Sequence, residues 1–410
     1  MSVSGYKPTS GPRRILFVTG PVPWGFLDSG IKLRQRLVFD GLRSLGQVDV
    51  LLVNRQFANA NAPDDLGCRV GWIPSTAVVH HSRAALVAWA CRPTIVPEAL
   101  GLKPANRGDH PFLADEYDLA WFDSMASYSQ IAPALSPVIP TVLDLPDLPD
   151  TRDAHRRRLR SVNLRWFARL RAELFGRRLE SAYRHFYRDV AVRSTLTVSS
   201  ALDATRLPVG SQVVHNCYKP VLQQKRERPL HHEPFTMVFV GSMGYEPNAE
   251  GAHWFERMVL PRIAEKIPHA RIMLVGGGEQ TIAHLHAPPR VFVVGRVPDV
   301  GPHLQNAHVA VVPIRFGGGT RVKILEAMAH QLPCVATRVG AEGLDIHDGH
   351  DILLADDPVS FANAVLSLWS DTDKAGLLAQ NALATYSKHY SWAAGIAAVH
   401  RAGLSCLARH

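Results

Sequence analysis

The chain has 410 residues, 46% hydrophobic and 20% charged, with a formal net charge of +9. A single core rarely outgrows ~250–300 residues, so two or three domains are expected, and the composition is that of a globular chain without low-complexity tracts. No apolar run approaches the ~18–20 residues of a membrane span. The five cysteines, Cys68, Cys91, Cys217, Cys334 and Cys406, are odd in number and form no C-x-x-C pair. That argues for a reducing compartment and against a disulfide framework or a zinc site. The early apolar run "ILFVTG" is too short for a signal-peptide core, so the chain is expected to be cytoplasmic.

In chain order, "RILFVTG" (14–20) predicts a strand, then a loop "PVPWGFLDSG" and a helix "IKLRQRLVFDGLRSLG". Strands follow at "VDVLLVN" (48–54), "YDLAWFD" (117–123), "PTVLDL" (140–145) and "LTVSS" (196–200). Fully apolar strands separated by helices predict a parallel sheet covered on both faces. The stretch 216–234, rich in Pro, Lys and His, has no periodicity and marks a domain boundary. A second series then runs "TMVFVGSM" (236–243), "ARIMLVGGG" (270–278), "VFVVGRV" (291–297), "VAVVPIRF" (309–316), "PCVAT" (333–337) and "DILLAD" (351–356). The fold expected is α/β: two doubly wound, Rossmann-like parallel-sheet domains whose strand ends face each other across a cleft. The boundaries expected are 1–218 for the first domain, 219–234 for a linker and 235–385 for the second. Residues 386–410 are expected to form a C-terminal helix able to pack back on the first domain.

Charge is concentrated in one place. Residues 152–193 hold thirteen arginines, no lysine and four acids, a net +9 equal to that of the whole chain. Leu159, Val162, Trp166, Leu170 and Leu174 and, after Gly176, Tyr183, Phe186 and Val190 recur at steps of three and four, predicting a helix with one buried face and an Arg-rich outer face. The outer face reads either as a solvated surface or as a dock for anionic lipid head groups or an anionic acceptor. No nucleic-acid recognition motif accompanies it.

In a doubly wound domain, ligands bind at the carboxyl ends of strands, where turns feed helix N-termini. Three turns of the second series are rich in glycine: "VGSMGYEPN", "VGGGEQ" and "IRFGGGTRVK". Thr320 is the expected N-cap of a helix through "RVKILEAMAH", with Ile324, Leu325 and Met328 facing the core. That spacing sets Thr320, Lys323 and Glu326 on one face. Free N–H groups, bare glycines and the cations Arg321 and Lys323 suit a diphosphate, and Glu326 suits two ribose hydroxyls. The plainer reading is a tight glycine turn followed by a solvated Lys–Glu pair. No P-loop, no G-x-G-x-x-G after a first strand and no G-x-S-x-G elbow occurs.

With "FVGSMGYEPNAEG", "GRVPDV", "VVPIRFGGGTRVKILEAMAHQLPCVATRVGAEGL" and "DILLADDP" in this order, the second domain resembles the donor-binding half of retaining GT-B glycosyltransferases. It is most similar to family 4, the glycosyl transferases group 1, in the bacterial polysaccharide and natural-product group. The first domain resembles them more loosely, through "DSG" (28–30), "YDLAWFDS", "TVLDLPDLPDTRDAHRRR" and "VSS…VVHN".

The resemblance implies the site. Glu326 matches the carboxylate that holds the nucleotide ribose. Arg321 and Lys323 match the cations that stabilise the departing diphosphate, helped by backbone N–H groups near Gly241 and Ser242. Gly317, Gly318 and Gly319, beside Thr320, would cradle the phosphate or donor sugar, and the base would lie against Gly295, Arg296 and Val297. Ser29 and Gly30 match the glycine loop beneath the diphosphate and acceptor. Many members carry a further Glu where this chain has Gly318, which leaves donor-sugar recognition without that carboxylate. The stretch that often holds a His near the anomeric centre reads Phe122–Asp123–Ser124. Asp123 is open to two readings, a catalytic residue orienting a sugar hydroxyl or a strand-end cap. Asp144, Asp147 and Asp150, separated by two prolines, read as a loop that contacts the acceptor, holds structure or binds a divalent ion; the family needs no metal or other cofactor for its donor.

The function implied is retaining transfer of a sugar from a nucleotide-diphosphate donor to a hydroxyl of a glycan, a lipid-linked acceptor or a small molecule. In the mechanism usually proposed for the family, the diphosphate oxygen takes the acceptor's proton and no protein nucleophile is needed. The alternatives are a sugar-nucleotide epimerase or hydrolase using the same cleft, and a non-catalytic relative kept as a partner. Peripheral contact with the inner face of an anionic membrane is a further expectation for the Arg-rich stretch.

Overall fold

The computed structural model describes residues 11–20, 30–53, 67–73, 103–148, 166–219, 234–317 and 321–409. They fall into two compact units, Met1–Asn216 with Ala393–His410, and Cys217–Trp392. Most of the expected linker, 220–233, lies outside the described residues, as do Ser29, Asp150 and the doublets His80–His81 and His231–His232.

The first unit is built on strands β1 (Arg14–Thr19), β2 (Gln47–Leu52), β3 (Val70–Trp72), β4 (Leu119–Phe122), β5 (Thr141–Leu145), β6 (Ser194–Val198) and β7 (Gln212–Val213). They pair in the order β3-β2-β1-β4-β5-β6-β7, all parallel. Successive side chains of a strand point to opposite faces, and β1 feeds two cores accordingly. Leu16 and Val18 join Phe122, Leu143, Tyr183 and Tyr187 on one face. Ile15 and Phe17 join Phe39, Trp121, Val399 and Cys406 on the other. Burying such side chains contributes ~1.5–3 kcal/mol each.

Helices α1 (Gly30–Arg43), α2 (Met125–Ile131) and α3 (Trp166–Ala191) cover this sheet, with the C-terminal helix Trp392–Leu407. A Cβ on Gly41 would stand 2.5 Å from Val399 Cβ, and one on Gly403 2.5 Å from Leu45 Cδ1. Helix α1 thus comes so close to the C-terminal helix at Gly41 that a side chain there would displace Val399, while at Gly403 the tip of Leu45 fills the space a Cβ would take. Ser124 caps α2 through a reciprocal box with Ser127.

On α3, the buried face is Leu179, Ala182, Tyr183, Tyr187 and Val190. Leu174, expected on it, is 55% exposed. It falls outside the stripe that Leu179, Tyr183 and Tyr187 set. Leu159, Val162, Trp166 and Leu170 are not among the side chains described.

Asp144 also departs from expectation. It is not in a loop: it sits on β5, 1% exposed, and its carboxylate accepts from Arg34 Nε at 2.9 Å and Nη2 at 2.6 Å and from Thr197 Oγ1 at 2.7 Å. Arg34 projects from α1 and also donates to the carbonyls of Val214 and His215. The first Asp of "DLPDLPD" therefore neutralises a buried arginine, while Asp147 lies just past the strand, partly buried.

In the second unit β8 (Thr236–Val240), β9 (Arg271–Val275), β10 (Val291–Gly295), β11 (Val309–Val312), β12 (Cys334–Ala336) and β13 (Leu353–Leu354) form a parallel sheet ordered β10-β9-β8-β11-β12-β13. Helices α4 (Glu246–Trp254), α5 (Val322–Ala329), α6 (Pro358–Ser370) and α7 (Thr372–Thr385) belong to this unit. Ile324, Leu325 and Met328 of α5 are buried, and so is Cys334 on β12. Strand order reverses between β8 and β11, so the loops leaving these two strands open a crevice at the sheet's carboxyl edge.

Candidate functional site

The loop after β8 runs Gly241–Tyr245 into α4, and it is stitched to the glycine loop after β9. Gly241 N–H donates to Val275 O at 2.9 Å, and Met243 N–H to Gly277 O at 2.6 Å. A Cβ on Gly276 would lie 2.1 Å from Gly241 O, and one on Gly278 2.2 Å from Gly244 N. Both have positive φ, +138 and +81. Here "VGGG" is needed because two backbones run in contact and turn left-handed at once. Because Gly241 N–H is committed to the sheet, it is not available to a ligand, which corrects one expectation. Ser242 N–H donates to no acceptor among the described residues.

From the other side of the switch point comes the loop after β11. Gly317, at φ +109, lies where a Cβ would meet Pro247 Cγ at 2.8 Å and Tyr245 Oη at 2.9 Å. The site is therefore walled by α4's first turn on one side and by the entry to α5 on the other. Gly318, Gly319 and Thr320 lie outside the described residues. Helix α5 starts at Val322 with Arg321, not Thr320, in the N-cap position and without a side-chain cap.

Arg321 is 8% exposed; its Nη2 donates to Gly317 O at 3.2 Å and lies 3.8 Å from Glu342 Oε2. Lys323, two residues on, reaches into the crevice. Its Nζ donates to Asn248 Oδ1 at 2.5 Å and lies 5.0 Å from the centre of the Phe239 ring. A Cβ on Gly241 would come within 2.8 Å of Asn248 Nδ2 and 3.2 Å of Lys323 Nζ. The bare backbone at Gly241 is what leaves room for that ammonium. Asn248 is itself fixed, its Nδ2 donating to Ser242 O at 2.7 Å.

Burial pulls the Lys323 ammonium down to about 7, with neighbouring Arg321 adding to the pull and Glu326 opposing it. Burial pushes Glu326 up to about 7, with Lys323 and Lys219 opposing and Asp299 reinforcing. With Lys323 and Glu326 both costly to charge beside the Arg321 guanidinium, the arrangement is suited to an anion whose field restores the lysine's charge.

Gly295 ends β10 at φ +77, and its carbonyl accepts from Gly276 N at 2.8 Å. Exposed Arg296 and half-buried Val297 follow it along the same carboxyl edge.

In the first unit Asp123 follows β4. Its Oδ2 accepts from Thr19 Oγ1, Gly20 N and Gln35 Nε2, each at 2.9 Å, and its Oδ1 from Ser127 Oγ at 3.0 Å. Burial pushes its carboxyl up while these donors pull it down. Four donors from β1, α1 and α2 make Asp123 the anchor where those elements meet. Gly30 is the first residue of α1.

Sequence reasoning passed over Asn248, and a signal was there. Asn248 shares a helical face with Gly251, Ala252 and Phe255, all buried, and a polar side chain on such a face must have a partner. Lys219 and Asp299, which tune Glu326, carry no local signal; only the fold brings them within its field.

Two parallel-sheet, Rossmann-like units in one chain are the GT-B fold. Residues 234–371, within the second unit, match the family model described as glycosyl transferases group 1. Sucrose-phosphate synthase from Thermosynechococcus elongatus superposes with a TM-score of 0.64 at 16% identity, covering 97% of this chain and 100% of that one. HepE of Anabaena, in complex with UDP and glucose, gives 0.56 at 16% identity with coverage of 97% and 100%. A protein of Klebsiella pneumoniae described as uncharacterized, 44.6 kDa and in the cps region, is 22% identical over 178 residues, 40% of this chain and 45% of that protein. The chain thus aligns with less than half the length of this curated relative.

Proposed function

We propose that the chain is a retaining glycosyltransferase that moves a sugar from a nucleotide-diphosphate donor to a hydroxyl acceptor. The observation that carries this reading is Lys323, whose half-buried ammonium Asn248 holds over the bare backbone of Gly241 at the sheet's switch point. The donor's diphosphate lies against Arg321 and Lys323, where positive charge and the α5 N-terminus meet. Glu326, one turn on, accepts from ribose hydroxyls, and Gly295–Val297 lies along the base. Because HepE is described with UDP, UDP-sugars are the first donors to try.

As the glycosidic bond to the diphosphate breaks, negative charge grows on the leaving oxygen and positive charge on the anomeric carbon. Arg321 and Lys323 stabilise the first; losing one such preorganised contact typically costs ~2.7–4 kcal/mol. The acceptor hydroxyl attacks from the face the diphosphate leaves, and a diphosphate oxygen takes its proton. This places no nucleophile on the protein and asks for no divalent cation at the donor. The exposed Arg177, Arg178, Arg184 and Arg188 of α3 favour an anionic or lipid-linked acceptor at a membrane surface.

The test is release of nucleoside diphosphate from UDP-, GDP-, ADP- and dTDP-sugars with a panel of hydroxyl acceptors. One nucleotide class should turn over, and Arg321→Ala or Lys323→Ala should abolish turnover with the circular dichroism spectrum unchanged. Near wild-type turnover by a folded variant would sink the assignment.

A further inference from the structure

The second unit carries a histidine pair that the proposed reaction leaves unused. His253 sits in the last turn of α4, and His284 in a 3-10 turn, Ala283–Leu285, beyond the glycine loop that follows β9. Their Nε2 atoms are 2.7 Å apart and their rings tilt by 36° with centroids 4.8 Å apart. His284 is exposed and His253 half-buried, so solvent ions reach the pair.

The remaining nitrogen of His253 decides what the pair is for. His253 Nδ1 lies 2.7 Å from Ala249 O. A carbonyl only accepts, so Nδ1 carries the proton, and in the neutral ring Nε2 is the lone-pair nitrogen. A backbone carbonyl holding one ring N–H, with the other nitrogen turned toward a second potential ligand, is how proteins orient histidines that bind metal.

We infer that His253 and His284 form a two-imidazole site for a divalent transition-metal ion of the zinc, copper and nickel class. Imidazole nitrogen is a preferred donor for these ions, whereas magnesium and calcium take oxygen. Tetrahedral zinc with bonds of ~2.0–2.1 Å sets two nitrogens ~3.3 Å apart. The pair reaches that by a small rotation of the exposed His284 ring. Without the ion, His284 Nε2–H donates to His253 Nε2. On binding, that proton moves to His284 Nδ1, and both Nε2 lone pairs point at the metal with no net proton released. Among the described residues no cluster of three or more His, Cys, Asp or Glu forms a metal site. Water therefore completes the shell and the ion exchanges freely. Bound there, it ties α4, the helix that carries Asn248, to the chain just past Gly276–Gly278.

The experiment is calorimetric titration of the full chain, carrying no histidine tag, with zinc chloride. His253→Ala, His284→Ala and His350→Ala are run alongside, with magnesium chloride as the control ion. His350 belongs to a different pair, whose rings are 6.4 Å apart and edge-to-face with His347. Wild type and His350→Ala should bind a zinc equivalent that EDTA removes and magnesium does not replace. Both His253→Ala and His284→Ala should lose it, and zinc should raise the unfolding midpoint only where it binds. Exposed His284 can be truncated without disturbing the core, so its result stands alone if His253→Ala misfolds. Equal zinc uptake by wild type and His284→Ala would overturn the site, and so would no uptake by wild type.

Discussion

Lys323 Nζ stands 2.5 Å from Asn248 Oδ1, while the same amide's nitrogen bonds Ser242 O at 2.7 Å. One side chain thus fixes both the cation and the backbone of the loop that faces it. Asn248→Ala should leave the sheet intact, release Lys323 and weaken nucleoside diphosphate binding about tenfold, about 1.4 kcal/mol. Calorimetry on the folded variant checks this; unchanged affinity would show that Lys323 needs no such hold.

The Lys323 and Glu326 pair should also set a pH signature. Lys323 is lowered from 10.5 to about 7, so the unfolded chain holds the extra proton between those values and this group's contribution to stability rises with pH across them. Glu326 is raised from 4.5 to about 7, so the folded chain holds the extra proton between those values and stability falls as pH rises across them. Together they place a minimum in ligand-free stability near pH 7. Thermal unfolding on either side of neutrality should show that minimum in wild type and flatten it in Lys323→Met/Glu326→Gln.

Without nucleotide, Lys323→Met alone should make the protein more stable at neutral pH, by about 1 kcal/mol, since a partly desolvated cation is replaced by an apolar side chain of similar length. The same change should remove diphosphate binding. A destabilised Lys323→Met would mean that the bond to Asn248 and the Phe239 contact outweigh desolvation.

Glycines with positive φ should differ sharply by surroundings. Gly276→Ala drives a Cβ to 2.1 Å from Gly241 O, whereas Gly349, at φ +79, has nothing within 4 Å. Gly349→Ala should cost about 1 kcal/mol from backbone conformation alone. Gly276→Ala should cost well beyond that and disturb the loop at Gly241, read from denaturant midpoints of the two variants.

Arg34→Met would strand the buried Asp144 carboxylate, at about 3–5 kcal/mol. Adding Asp144→Leu should recover much of that loss, because the double variant leaves no unpaired charge. If the single variant unfolds no more readily than wild type, the pair is not fully desolvated.

Most of the sheet architecture was legible because parallel strands buried on both faces are written as unbroken apolar runs, as in "ILFV" and "VAVV". The edge strands Val70–Trp72 and Gln212–Val213 escaped, being two or three residues long and half-buried. Asp144 misled because a carboxylate between prolines has the composition of a loop, and its partner Arg34 lies 110 residues away. Lys323 and Glu326 could be singled out from helical spacing beside three glycines. Asn248, Lys219 and Asp299 needed the fold, since electrostatic neighbours across a switch point share no sequence period.

The most direct test of the donor site is calorimetric titration of the purified protein with UDP, GDP, ADP and dTDP, with and without EDTA, repeated on Lys323→Ala. Micromolar binding of one diphosphate, indifferent to EDTA and lost in the variant, is the result expected. Silence from all four nucleotides with a folded protein would contradict it and favour a non-catalytic relative.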